Sequence, residues 1–247
     1  MHPTSPSHDP TLAYAPPPDD GLEIVYLDAA LLLVNKPSGL LSVPGRGEDK
    51  QDCLTRRVQA RHPEALIVHR LDMHTSGLLL LARNEEMQRR LSTAFAERRI
   101  EKRYLAVAEG LPARASGEID LPLGADWPRR PRQRVDWHAG KASLTRYRVL
   151  AYNRDDNTSL LALWPATGRT HQLRVHLQAL GHPIVGDPLY GSTAMAAGRL
   201  FLHAEQLAFV HPASGRPLRV CCPAPFPFAA FDRADDSQSA SVYTASR

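Results

Sequence analysis

The chain has 247 residues, 43% of them apolar, 23% charged and 6% aromatic, with 30 Lys and Arg against 26 Asp and Glu for a formal charge of +4. This length suits one large domain or two small ones and is enough to bury a sizeable core. No run approaches the roughly 18 apolar residues of a membrane-spanning helix, so no helical span is expected.

Residues 1–20 hold six prolines and no Lys or Arg. They lack the basic and apolar regions of a signal peptide and read as a disordered leader. The three cysteines are Cys53, Cys221 and Cys222. Their odd number, the adjacent pair and the lack of a Cys-x-x-Cys spacing argue against a disulfide framework or structural zinc, and for a reducing, cytoplasmic setting. Residues 21–230 carry no repeat, low-complexity stretch or clean linker and are expected to form one domain. Residues 231–247 read as a disordered tail.

Two strands are predicted at Glu23–Tyr26 and Leu31–Val34, around a turn at Asp28 and stopped by Asn35-Lys36-Pro37-Ser38-Gly39. Leu66–His69 and Leu78–Ala82 follow as strands flanking the turn segment Asp72–Gly77. Asn84 is a candidate N-cap with Glu85 and Glu86 behind it, and Met87, Leu91 and Phe95 mark one face of the helix. Lys102–Glu109, Ala142–Leu150 and Ser159–Trp164 are three further strand candidates. A second helix is predicted from a cap at Thr170 to Leu180, ended by Gly181 with Pro183 beyond. Leu173, His176, Leu177 and Leu180 form its apolar stripe, leaving His171, Arg174 and Gln178 on another face. Strands dominate, so the expected class is α+β, with a mixed, mainly antiparallel sheet and flanking helices and loops.

Three stretches concentrate chemistry. His69-Arg70-Leu71-Asp72-Met73-His74 places a carboxylate, a guanidinium and two imidazoles in a turn between apolar strands. Asp72 there either serves as a reactive carboxylate or caps the turn's amides and pairs with Arg70. Thr167 to His176 puts Arg169, His171 and Arg174 at a helix start, where backbone N–H groups favour anions; a solvated helix start is the alternative. Residues 98–148 carry twelve Lys and Arg against six Asp and Glu. Within them Arg129, Arg130, Arg132 and Arg134 follow Trp127, a mixture suited to single-stranded or looped RNA. His171 and His176 are five apart with no Glu between them, which is not a zinc helix. The Pro44–Lys50 loop lacks the ending of a P-loop, and no G-x-S-x-G elbow occurs.

His69-Arg70-Leu71-Asp72-x-x-Thr75-Ser76-Gly77-Leu78 resembles the active-site motif of the RluA-type pseudouridine synthases. The resemblance runs on through Asn35–Gly39, Lys102–Ala106, Gly168–His176, Gly181–Gly191 and Leu202–Ala204, in order over about residues 21–228. It implies that family's catalytic domain and the conversion of selected RNA uridines to pseudouridine without cofactor or metal. By the same resemblance, Asp72 is the essential carboxylate, Tyr104 packs on the base and Arg174 pairs with Asp72. Arg70 helps evict the base, with Leu202, His203, Arg169 and His171 beside the substrate. Arg46 joins the four arginines of the basic loop as an RNA contact.

Only the leader precedes the first strand, so the small N-terminal RNA-binding domain of several relatives is expected to be absent. Asn35–Arg46 and Asp126-Trp127-Pro128 are similar to the short subgroup with dual specificity. That implies 23S ribosomal RNA and tRNA anticodon stem-loops as partners, and a monomer with no membrane association is expected. Two other classes share part of this pattern. A non-catalytic RNA-binding protein would need the basic loop but not Asp72, and an N-glycosidase would use Asp72 but release uracil.

Overall fold

The computed structural model describes residues 14–192 and 198–226, together with the backbone of 232–233 and 241–243. Its strands are β1 (Ile24–Leu27), β2 (Leu31–Lys36), β3 (Leu66–Ile67), β4 (Ser76–Ala82), β5 (Glu101–Glu109), β6 (Ser116–Asp120), β7 (Leu123–Ala125), β8 (Gln133–Val135), β9 (Leu144–Asn153), β10 (Thr158–Pro165), β11 (Leu202–Val210), β12 (Pro217–Cys221), β13 (Asp232–Arg233) and β14 (Ser241–Tyr243). The α-helices are α1 (Leu54–Gln59), α2 (Glu85–Ala96) and α3 (Gln172–Ala179). One sheet runs β1-β2-β4-β11-β5-β10-β9-β6-β14, with β3, β12 and β13 attached to β4, β11 and β9; β7 and β8 form a separate hairpin. The contacts β4–β11 and β6–β14 are parallel, and the other strand pairs are antiparallel. This is the α+β architecture expected from the sequence.

The leucine runs explain the centre. Every residue of β4 is buried, as a strand covered on both faces requires. Its alternate side chains feed two cores. Leu78 and Leu80, with Leu31 and Leu33 of β2, pack on Met87 and Leu91 of α2. Leu79 and Leu81, with Leu32 and Val34, pack on Leu54 and Val58 of α1. A third core lies on the far half of the sheet, where Ala106, Ala108, Leu161 and Leu163 meet Leu173 and Leu177 of α3.

The two halves join where β4 meets β11 for a two-residue parallel contact, His203 opposite Ser76 and Ala204 opposite Gly77. Gly77 has φ +109, and a Cβ there would lie 2.3 Å from the Ala204 carbonyl oxygen and 2.6 Å from its nitrogen. Glycine is required twice over, by the left-handed backbone and by the close approach.

Asn84 caps α2 as predicted, its Oδ1 accepting the Met87 N–H at 2.9 Å. Helix α3 departs from expectation. Thr170 is not its cap: His171 precedes the helix in a left-handed conformation with no side-chain cap bond. The Gln172 side chain organises that end instead. Its Oε1 accepts from Arg169 N–H and Thr167 Oγ1, and its Nε2 donates to Leu144 O and Thr145 Oγ1. The stripe of Leu173, His176, Leu177 and Leu180 packs inward as expected, but Arg174, assigned to another face, is buried as well. The helix is enclosed on several sides, so periodicity does not report which residues meet solvent.

Part of the expected leader packs on the domain. The Tyr14 hydroxyl donates to Asp52 O and accepts from Leu41 N–H, while Arg57 donates to Pro17 O and Pro18 O. In the expected tail, β13 pairs with β9 and β14 with β6. The remaining residues of both segments, 1–13, 231, 234–240 and 244–247, lie outside the described residues.

Three histidines are built in as neutral rings. Burial pushes His176 down to about 4, and its ring meets Thr145 Oγ1, Ser143 Oγ and Leu121 O. Burial likewise pushes His203 to about 4, between Ser76 Oγ and Cys222 O. His69 is pushed to about 3 by burial and the charge of Lys102, and its Nε2 accepts the Leu80 N–H at 2.9 Å.

Gly77→Ala should lower stability by more than about 2 kcal/mol in urea unfolding; a change within about 0.5 kcal/mol would contradict the β4–β11 register. The histidines set a pH dependence. Their folded values lie below the unfolded value of about 6.5, so the unfolded chain binds more protons between about 6.5 and 4. Stability should be full above pH 6.5 and fall below it, each ring contributing up to ~1.4 kcal/mol per pH unit. A urea midpoint equal at pH 7 and pH 5 would refute this.

Candidate active site

The chemistry-bearing turn is shaped by local substitutes for sheet hydrogen bonds. β3 pairs with β4 only through Leu66 and Ile67. Beyond it, the His69 ring takes the Leu80 N–H that a strand carbonyl would otherwise accept, and stacks on Phe95 at 4.5 Å between centroids. The chain can then leave the sheet and form the loop from Arg70 to Thr75.

Residues 36–42 hold that loop through its backbone. The fully buried Lys36 ammonium donates to Met73 O at 2.9 Å, Leu40 O at 2.7 Å and Pro37 O at 2.8 Å. Gly39 N–H also reaches Met73 O, and Ser38 Oγ donates to His74 O. Ser42 Oγ donates to Leu71 O and accepts its N–H. Burial pushes Lys36 down to about 7, against the upward pull of Asp72.

Asp72 faces a cleft whose empty volume is about 490 Å³, with Arg70, Tyr104, Arg174 and Leu202 among its walls. The cleft lies just before the paired ends of β4 and β11, beside β5. Arg174 is only 2% exposed, yet its Nη1 stands 3.7 Å from Asp72 Oδ2. Its Nε and Nη2 make two 2.7 Å bonds to the fully buried Asp187. Burial opposes the Arg174 charge, but the bonds and charge of Asp187, then the charge of Asp72, outweigh it and raise its pKa. Asp187 Oδ1 also accepts from Leu189 and Tyr190 N–H. The Tyr190 ring centroid is 5.1 Å from the Arg174 guanidinium carbon, and its hydroxyl meets Gln133 N–H and His171 Nδ1. Burial raises the pKa of Tyr104, with Asp72 adding to it, so Tyr104 stays a phenol.

The other expected site residues divide into three groups. Arg70, Arg169 and Leu202 line the cleft with Asp72, Tyr104 and Arg174. Arg70 is exposed and does not take the role of ion partner considered for it; that place belongs to Arg174, because α3 brings a guanidinium through the interior. His171 stands behind the wall, bonded to Tyr190. His203 is not at the cleft surface: it is fully buried and ties β11 to Ser76 and to Cys222.

The basic hairpin lies outside the cleft. Trp127 is 67% exposed with the Arg130 guanidinium 3.7 Å from its ring centroid. Arg129 pairs with Asp126, Arg134 approaches Asp136 at 3.4 Å, and Arg132 is half-buried. Arg46 is exposed on the loop before α1. Sequence reasoning assigned no role to Lys36, Lys102, Asp187 or Tyr190. The Gly186-Asp187-x-x-Tyr190 turn was the available signal for the last two.

Residues 30–179 match the RNA pseudouridylate synthase family. The chain is 48% identical over 215 residues to the dual-specificity RNA pseudouridine synthase RluA of Escherichia coli (strain K12), spanning 86% of this chain and 98% of that protein. It is 47% identical over 203 residues to the protein of that name from Vibrio cholerae serotype O1, spanning 81% and 82%. Among solved structures, human RNA pseudouridylate synthase domain containing 1 is similar at 33% identity and TM-score 0.73, covering 91% and 94% of the two chains. Human RNA pseudouridylate synthase domain containing 4 follows at 26% identity and TM-score 0.65, covering 82% and 88%.

Asp187→Asn should lower stability by on the order of 3–5 kcal/mol in urea unfolding, because a guanidinium is left buried without its two-point partner. Arg174→Lys should not restore the wild type, since an ammonium cannot make the paired bonds. Wild-type midpoints for both variants would mean that the pair does not organise the site.

Proposed function

Because the chain belongs to the RNA pseudouridylate synthase family, we propose that it isomerises uridines in both a 23S ribosomal RNA hairpin and tRNA anticodon loops, with Asp72 as the essential carboxylate. The observation that carries the dual target set is the 48% identity over nearly the whole of a relative named for dual specificity.

The family's reaction breaks the bond from ribose C1′ to uracil N1, turns the base and joins C1′ to C5. Two routes break that bond, attack on C1′ or removal of a C2′ proton. Both need a carboxylate close to the ribose. Asp72, at the cleft wall and 19% exposed, suits either route. Arg174 holds it in place while being held itself by Asp187. Glycoside hydrolases usually bring two carboxylates to a related bond, one to activate water. Among the described residues Asp72 is the one acidic side chain lining this cleft, which suits an isomerase that must keep water out.

The target base must leave its stack, at a cost of a few kcal/mol. Stacking on Tyr104 offsets roughly 1–3 kcal/mol of that. Arg70, exposed at the cleft, is the side chain suited to fill the space the base vacates, with Leu202 and Arg169 beside the flipped nucleotide. His171 supports that wall through Tyr190, and His203 acts at one remove by fixing the start of β11. The Trp127–Arg130 stack with Arg129, Arg132 and Arg134 suits the surrounding RNA backbone, and Arg46 is a further exposed cation. The free cysteines and the RNA substrates support a cytoplasmic setting. We take the protein to act as a monomer without cofactor or metal.

The test is pseudouridine mapping of 23S RNA and tRNA from cells lacking the gene, complemented with wild type or Asp72→Asn. The same sites in both RNA classes should be lost in the deletion and in the Asp72→Asn strain, with purified Asp72→Asn binding RNA within a few-fold of wild type. Wild-type pseudouridine levels with Asp72→Asn would remove Asp72 from the chemistry, and free uracil from the purified enzyme would mark a glycosidase instead.

A further inference from the structure

We propose that Lys102, the backbone at Gly168 and Arg169 form a subsite for one phosphodiester of the substrate RNA, separate from the carboxylate that handles the sugar. This rests on the reading of the protein as an RNA isomerase.

Lys102 shares the cleft face of β5 with Tyr104. Its ammonium makes one hydrogen bond, to Thr167 O at 3.3 Å, and has no carboxylate partner among the described residues. It is instead set near a second cation: burial lowers its pKa, and the charge of Arg98 lowers it further. Arg169 donates to Ala142 O and also lacks an acidic partner among the described residues. Arg70 lines the same cleft without one. Asp72, the one lining carboxylate among the described residues, is matched by Arg174. Unmatched cations gathered at an open mouth repel one another until an anion enters.

Gly168 shows where the anion fits. Its backbone is not left-handed, and a Cβ added there would meet a single atom within 4 Å, the Lys102 Nζ at 4.0 Å. Neither strain nor crowding calls for glycine. What the missing side chain leaves is open space directly in front of the ammonium. A phosphate oxygen bonding Nζ at about 2.8 Å would occupy that space. The Gly168 N–H makes no hydrogen bond among the described residues and is available as a second donor. Lysine suits this task as a point charge that demands no particular phosphate orientation.

The experiment is a binding cycle on the full chain carrying Asp72→Asn, so that no turnover intervenes. The probe is a stem-loop RNA in which each phosphate of the target loop is replaced in turn by a neutral methylphosphonate. With Lys102 present, one position should lose on the order of tenfold in affinity. Lys102→Met should lose a similar factor on unmodified RNA and nothing further at that position, while Lys102→Arg restores most of the binding. Gly168→Ala should show the same position-specific insensitivity, which keeps the test readable if Lys102→Met melts early. Losses that multiply at every position would overturn the subsite. Wild-type enzyme is assayed for pseudouridine on the same unmodified RNA: product without coupling overturns the subsite alone, and coupling without product overturns the isomerase reading.

Discussion

A guanidinium buried to 2% exposure can be kept only if nearly all of its charge is answered from within. Arg174 meets that condition by giving two of its nitrogens to Asp187 and leaving the third for Asp72. Such a pair is weak grounds for net stability, because desolvating both ions offsets much of their attraction. Its effect here is positional. The Asp187 carboxylate fixes the turn through Leu189 and Tyr190, Tyr190 receives the hairpin backbone at Gln133, and the free edge of the guanidinium meets the Asp72 loop. Displacing Arg174 would therefore disturb the cleft and the basic hairpin together.

The legible parts of the sequence were those whose signals are local. The leucine runs of β2 and β4, the capped start of α2 and the dense turn around Asp72 each carry their own signature within a few residues. Strands β6, β7 and β8 do not. They are three to five residues long and carry glycine, charge or both in place of an apolar run, so their pairing is decided by partners distant in sequence. Helix α3 shows the limit of a stripe rule: it finds the apolar face, but it does not report that Arg174, on another face, is enclosed as well. The roles of Arg174, Asp187 and Lys36 depend on which chain segments meet, and no spacing rule reports that.

The joint at Gly77 sets where chemistry can occur. β4 and β11 touch through two residue pairs, after which β12 takes over that edge of β11. Thr75 and Leu202, the residues just ahead of the joint, are brought to one cleft because the two backbones run parallel at that point. Tyr104 arrives from β5, whose register places it opposite Ala204. Three distant segments thus converge on one opening, and the absence of a single β-carbon permits it.

The grip on the Asp72 loop falls almost wholly on main-chain atoms: the carbonyls of Leu71, Met73 and His74 and one amide. Lys36, Ser38, Gly39 and Ser42 would offer the same hold whatever side chains stood at 73 and 74. The geometry of the carboxylate is thereby insulated from the identity of its neighbours. Met73 and His74 are not among the residues that line the cleft, so a lineage is free to change both without recasting the wall that Asp72 presents.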